Sequence, residues 1–404
     1  MQVRKIHENE VGRAEELFYI AFEQRNDVQS GKKNSNELQK TPDRVERFSK
    51  EKWAAFGEDG TMMGGFCAIP YEIQFDGNLC KMIGIGGVSC LPQYRENGVV
   101  SECLKTALNG IYQEGAAFSY LYPFSAEYYR KFGYELCSEP IRYSVSTKAF
   151  GRFDVGGEAC LVEHGSHLED IQKVYRDFMR GYNLMAVRET CDYGWAIDAD
   201  PARDGHYVYV YQNGFGEAKG VMSFCKVESG QSFEMKCDQF FFSDAQGLKG
   251  LLNHALKFKT YYERIIFLLP ENINIVPYIS EWILYPCSRE VCFNGMVRAV
   301  NVQKVLEMAQ YRGSGTITIR IRDTVIPQNN RCFEVDFAEG RAVRVSVSEK
   351  EPDVEMGIGD FSRCIAGGYS PEKIQELESV KISACTEKIE KVFYRKPNFI
   401  TDYF

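Results

Sequence analysis

Apolar residues over the first 150 positions switch between a two-residue and a three-to-four-residue period, the spacings of strands and of one-sided helices. The pattern predicts a short strand at 3–6, then a helix with Val11, Ala14, Leu17, Phe18 and Ala21 on one face. Strands follow at 53–56, 62–69, 72–75 and 81–91. Val100, Cys103, Leu104, Ala107, Leu108 and Ile111 predict an amphipathic helix over Val99–Gln113. A strand at 118–124, a short helix near 127–132 and a strand from Ile141 complete a mixed α/β domain, placed at 1–150.

The segment 151–290 repeats this order more loosely. A strand at 207–212 meets Asn213-Gly214, which predicts a two-residue type I′ hairpin. A strand at 239–242 leads to a helix at 245–258, and another strand is expected at 265–269. The shared order points to duplication, the second copy having lost the first copy's motif. From 291 to 404 the texture changes. A helix at 302–309 precedes strands in which Ile317, Ile319 and Ile321 alternate with Thr318 and Arg320, and Val343, Val345 and Val347 with Arg344 and Ser346. Two-residue alternation of this kind marks half-buried antiparallel strands. With helices expected at 360–367 and 371–377, the third domain is α+β.

Composition narrows the function. The 404 residues include 48 basic and 56 acidic side chains, a net charge of −8. A nucleic-acid partner needs a clustered basic face, so it is not expected. The charge suits a cationic small molecule, and equally serves solubility. No apolar run approaches the ~20 residues of a membrane helix, and the start MQVRKIHENE lacks a signal-peptide core, so a cytoplasmic protein with no membrane partner is expected. Fourteen cysteines form no C-x-x-C pair, and the five histidines no zinc-like spacing; no metal is expected.

The informative stretch runs from Ile83 to Tyr134. A strand ends at Val88-Ser89-Cys90, Pro92 follows, and a turn through Arg95-Glu96-Asn97-Gly98 opens the helix at Val99-Val100-Ser101. The free N–H groups of a helix N-terminus suit a pyrophosphate. This resembles motif A of the GNAT N-acetyltransferases, Q/R-x-x-G-x-G/A, although Val100 stands where the motif has Gly or Ala. Gln310-Tyr311-Arg312-Gly313-Ser314-Gly315 fits the pattern in full, but it follows a helix and precedes a strand, and a turn is expected there. Beyond the next strand, Phe124-Ser125 leads into Tyr129-Arg130-Lys131-Phe132-Gly133-Tyr134. That run is similar to the Eis (enhanced intracellular survival) acetyltransferases.

The resemblance implies tandem GNAT-like domains, the second degenerate, followed by a sterol-carrier-protein-like α+β domain. It implies acetyl-CoA as co-substrate, with Val88, Ser89, Cys90, Arg95, Glu96, Asn97, Gly98, Val99, Val100, Ser101, Phe124 and Ser125 around it. It also implies Tyr129 as general acid, the terminal carboxylate of Phe404 as base, a hexameric homo-oligomer, and aminoglycoside-like or lysine-containing amine acceptors. Glu23, Asp27 and Asp402 are the acidic residues placed nearest an acceptor. The alternative is a non-enzymatic protein binding a lipid or small molecule, its acetyltransferase domain a relic. Cys90 is read as a small strand residue rather than a nucleophile.

Overall fold

The structure is a computed structural model that describes residues 1–23, 52–230 and 232–402. Residues 1–146 form β1 (Gln2–Lys5), α1 (Val11–Ala21), β2 (Lys52–Phe56), β3 (Met62–Phe75), β4 (Asn78–Cys90), α2 (Val99–Gln113), β5 (Phe118–Leu121), α3 (Ala126–Arg130), β6 (Glu135–Ser138) and β7 (Ile141–Ser146). The two strands expected at 62–69 and 72–75 are one. Pro70 does not interrupt it: among the described residues β2 pairs no further than Cys67, and the proline sits opposite Ile83 of β4.

Next come β8 (Glu158–Leu161), α4 (Leu168–Met179), β9 (His206–Gln212), β10 (Ala218–Ser229), β11 (Ser232–Phe242), α5 (Ala245–Leu256), β12 (Arg264–Leu269), β13 (Cys287–Val291) and β14 (Asn294–Ala299). The last segment holds α6 (Val302–Met308), β15 (Gly315–Arg322), β16 (Cys332–Ala338), β17 (Arg341–Val347), β18 (Val354–Gly357), α7 (Ile358–Ile365), α8 (Pro371–Gln375) and β19 (Lys381–Ile382).

Two seven-stranded sheets have the orders β1-β2-β3-β4-β5-β14-β6 and β8-β9-β10-β11-β12-β7-β13. They match position by position. In each, the only parallel pair among the described residues (β4 with β5, β11 with β12) is bridged by a helix, α2 or α5. The strand following each unit is exchanged: β7 enters the second sheet between β12 and β13, and β14 returns to the first between β5 and β6. Strand pairing therefore crosses both of the linear boundaries expected at 150/151 and 290/291. Local periodicity carries no information about which sheet a strand joins.

Three turns depart from the sequence reading. After β9 there is no two-residue hairpin: the Asn213 N–H donates to the Glu217 carbonyl at 2.9 Å. The Asn213 side chain accepts from the Phe215 and Glu217 amides, and Gly216 rather than Gly214 is left-handed. Two-residue hairpin turns with both residues left-handed are found instead at Asp76-Gly77 (φ 49° and 83°), which joins β3 to β4 with Phe75 opposite Asn78, and at Glu339-Gly340 (φ 52° and 80°), which joins β16 to β17 with Ala338 opposite Arg341. In β17 the register shifts so that Asp336 opposes Arg344 and Phe337 opposes Ala342. The extra residue, Val343, is 70% exposed, while Ala342 and Val345 pack inward; a one-residue bulge reverses which face meets the core.

The first sheet is covered on both sides. One apolar cluster joins it to α2 through Val99, Cys103, Leu104, Ala107, Leu108 and Ile111. Another joins Ile73, Phe75, Met82, Phe118 and Tyr120 to Ile317, Ile319, Ile321, Phe333 and Phe361 of the last segment. The C-terminal tail staples the assembly: Phe399 enters the second sheet's core and Ile400 the first's.

His254 on α5 is 5% exposed, its ring 4.1 Å from that of Tyr209, and neither ring nitrogen has a hydrogen-bond partner. Burial, aided by Lys257, pulls its pKa down to about 4. The unfolded chain takes up this proton near pH 6.5, so stability is lost as pH falls from 6.5 towards 4, by about 3 kcal/mol in total. Melting curves of wild type and His254→Leu across that range check this; the variant should lack this share of the acid loss.

Candidate active site

The β4 strand runs past its parallel partner. Pairing with β5 ends at Ile85 opposite Leu121, whereas β4 continues to Cys90. Towards β3 the register shifts between Gly65 and Cys67, leaving Gly87 and Val88 in a bulge, with Gly87 at φ 60°. The two parallel strands therefore splay apart. Val88, Ser89 and Cys90 keep β3 on one side and, among the described residues, have no strand on the other, so their backbone groups there face the gap. The Ser89 side chain is turned away into the sheet, so its contribution to the gap is backbone. Burial raises the Cys90 thiol pKa, the opposite of what a thiolate nucleophile requires.

The α2 helix begins at the mouth of this gap. Its N-cap, Gly98, is left-handed (φ 74°), no side chain caps it, and a Cβ there would meet nothing within 4 Å. The first intrahelical bond is Glu102 N–H to the Gly98 carbonyl, so the amides of Val99, Val100 and Ser101 have no carbonyl within the helix. Val99 is buried against Gly64 and offers only its backbone. Glu96 is left-handed and, like Asn97, exposed. Arg95, exposed at the rim, donates to the Ala21 carbonyl at 2.9 Å, tying the turn to the end of α1. Val100, which stands where the resembled motif has Gly or Ala, is half-buried in the apolar cluster.

The tyrosine stands across from this opening. Ser125 caps α3 by accepting from the Tyr128 amide. Tyr129 is 2% exposed, with the rings of Phe124 and Tyr128 each 5.3 Å away and that of Tyr134 at 6.3 Å. Burial pushes the Tyr129 pKa well above the ordinary phenol value, so the hydroxyl keeps its proton at any physiological pH. It can give a proton to a stronger base and cannot serve as the base itself. Below it the Tyr134 hydroxyl bonds Ser119 at 2.8 Å, and Ser119 donates to the Ile83 carbonyl of β4. Val88, Cys90, Tyr94, Val100 and Tyr128 all pack on the apolar cluster that contains Tyr129. Phe124, 74% exposed, is its outer wall.

The tail reaches the same end of the sheet. Tyr122, just beyond β5, donates to the Asp402 carbonyl at 3.0 Å. The Asp402 carboxylate pairs with Arg188 at 2.7 Å. Phe404 and Asp27 lie outside the described residues, and Glu23 ends α1's C-terminal turn in exposed, left-handed backbone. Sequence reading missed the Gly87 bulge, for which the Gly86-Gly87 pair was the available signal, and the Ser119–Tyr134 support, which had none. Gln310–Gly315 is a turn, with Gly313 at φ 72°.

The matching place in the second sheet is closed. Asp244 caps α5 by accepting from the Gly247 amide at 2.9 Å and pairs with Lys219. A Cβ on Gly247 would run into the Lys219 carbonyl. A carboxylate occupies the helix start, where an anionic ligand is repelled, so only the first sheet keeps the open arrangement.

Residues 2–137 match the acetyltransferase (GNAT) domain family. This first third of the chain is a GNAT acetyltransferase domain. Residues 302–401 match the sterol carrier protein domain family. The chain shares its fold over 100% of its length with a GCN5-related N-acetyltransferase from Anabaena variabilis (TM-score 0.86, 15% identity, 100% of that chain). It does so with Eis1 from Mycobacterium abscessus (0.79, 15%, 100% of that chain) and with a conserved protein from Enterococcus faecalis V583 (0.84, 21%, 99% of that chain). At these identities the likeness is one of fold, and the fold is Eis-like. No curated protein is significantly similar in sequence. Acetyltransferases of this superfamily use acetyl-CoA and small-molecule acceptors. Among the described residues no group of His, Cys, Asp and Glu could hold a metal ion, and no helix is long and apolar enough to cross a membrane.

Proposed function

We propose that the acetyltransferase moves the acetyl group of acetyl-CoA to a primary amine of a cationic acceptor, aminoglycoside-like or lysine-containing. The observation that carries this is the uncapped, glycine-led start of α2 opening beside the unpaired end of β4, in the first sheet alone. Backbone groups of Val88 and Cys90 bind the pantetheine arm as an added strand would. The amides from Asn97 to Ser101 take the pyrophosphate, with Glu96 and Arg95 shaping the turn, and Phe124 and Ser125 line the opposite wall. Tyr129 protonates the departing thiolate. The assignment of Phe404 as base rests on the resemblance, supported by the docking of Asp402 beside Tyr122. The net charge of −8 favours a cationic acceptor.

Ser101→Asp tests the anion site. A carboxylate in the first turn favours the helix while occupying the phosphate position, as Asp244 does in α5. Calorimetry should show acetyl-CoA affinity falling by about 10–10²-fold, with the free protein melting no lower than wild type. Unchanged affinity, or no binding by wild type, overturns the placement.

A further inference from the structure

Arg298 on β14 is fully buried, in a strand the second unit returns to the first sheet. Its guanidinium has two arms in use. One donates to Asp323 at 2.6 Å, just beyond β15. The other donates to the carbonyl of Phe132, inside the turn that follows Tyr129. Asp323 is itself held: it accepts from the Val325 and Ile326 amides at 2.9 and 3.1 Å and from Asn329 at 3.0 Å. Burial raises its pKa, but the Arg298 charge and hydrogen bond outweigh that and leave it lowered, so the pair is ionic.

The Phe132 peptide is the hinge of the tyrosine turn. The Phe132 amide donates to the Tyr129 carbonyl at 2.9 Å, and the Gly133 amide to the Arg130 carbonyl. Gly133 is left-handed (φ 78°), and a side chain there would collide with the Arg298 guanidinium and with Ile358. Backbone conformation and lack of space both demand glycine. Two residues further on, Tyr134 is tied to Ser119.

We propose that Arg298, braced by Asp323, is a positioning residue for Tyr129, through which the sterol-carrier-like segment fixes where the acid stands. This rests on the reading of Tyr129 as the acid. A buried ion pair adds little stability over an apolar pair of similar volume. What it supplies here is geometry: a planar fork that grips a carboxylate and a peptide carbonyl at once, which an ammonium cannot reproduce.

The test is a double-mutant cycle in the full chain. Arg298→Lys keeps the charge beside Asp323 but cannot reach both partners. It should lower kcat by about 10–10²-fold, the effect expected of a misplacement near 1 Å, with the acetyl-CoA KM within about twofold of wild type. Placed in Tyr129→Phe, the same change should cost less than about twofold, because the group it positions is gone. If the loss is as large in that background as in wild type, Arg298 is only structural and the proposal fails. If Tyr129→Phe itself is fully active, the acid assignment fails first, a separate outcome. Gly133→Ala, which pushes the guanidinium off the Phe132 carbonyl without altering a charge, repeats the cycle and must give the same non-additivity should the lysine variant fold poorly.

Discussion

Tyr129→Phe is expected to lower kcat by about 10²–10⁴-fold while acetyl-CoA affinity stays nearly constant. The substitution keeps the ring, and with it the contacts to Phe124, Tyr128 and Tyr134, so packing is preserved and only the proton is lost. The size of the effect follows from acidity. A thiolate of pKa near 8.5 leaving unprotonated is a poor departure, and a phenol already at about 10 or above gives up its proton uphill by ~2 kcal/mol or more. Burial moves Tyr129 further in that direction, so transfer must accompany C–S cleavage rather than precede it. The same shift means the hydroxyl does not titrate in the assay range, and the rate should show no alkaline fall from this group up to pH 10. Tyr128→Phe is the control. It removes a half-buried hydroxyl beside Cys90 and should cost less than about tenfold in steady-state turnover. Equal losses in the two variants would make Tyr129 a packing residue.

How much of this was written in the sequence depends on the range of the interactions involved. The α2 helix was legible to the residue because its apolar face repeats every three to four positions and its start is marked by Gly98. The tyrosine turn was legible because Phe132-Gly133-Tyr134 sits at fixed distance from β5. What makes these a site is non-local. The gap beside β4 exists because a bulge at Gly87 and the shortness of β5 act together, and neither has a periodic signature. The exchange of β7 and β14 places Arg298, 166 residues away in sequence, against Phe132. The closure of the second sheet's counterpart hangs on one side chain, Asp244. Val343 shows the opposite failure: a clean alternation that one bulged residue turns outward.

The second large effect is expected at Lys396, where the β3–β4 turn meets the last segment. Its ammonium lies 2.6 Å from Asp76 at the tip of the β3–β4 turn, the two side chains being 5% and 3% exposed. Asn183 donates to the other Asp76 oxygen at 2.7 Å, and the Gln310 amide to the first at 2.7 Å. Lys396 also heads the docked tail: the next residue's carbonyl accepts from the Asn183 amide, and the Phe399 amide donates back to the Asn183 carbonyl. Lys396→Met fills the stem's volume and leaves the carboxylate buried without its counter-charge, a loss of about 3–5 kcal/mol. Denaturant titration should show it, with tail cleavage by protease before the midpoint. Adding Asp76→Asn should then restore much of the loss, because the amide carries no charge to strand and asparagine accepts the left-handed φ of 49° that this turn imposes. An aspartate merely tolerated at the turn would give the reverse order, Lys396→Met being mild and the double variant no better. Recovery in the double variant identifies uncompensated charge, rather than lost packing, as what the ammonium prevents at the head of the docked tail.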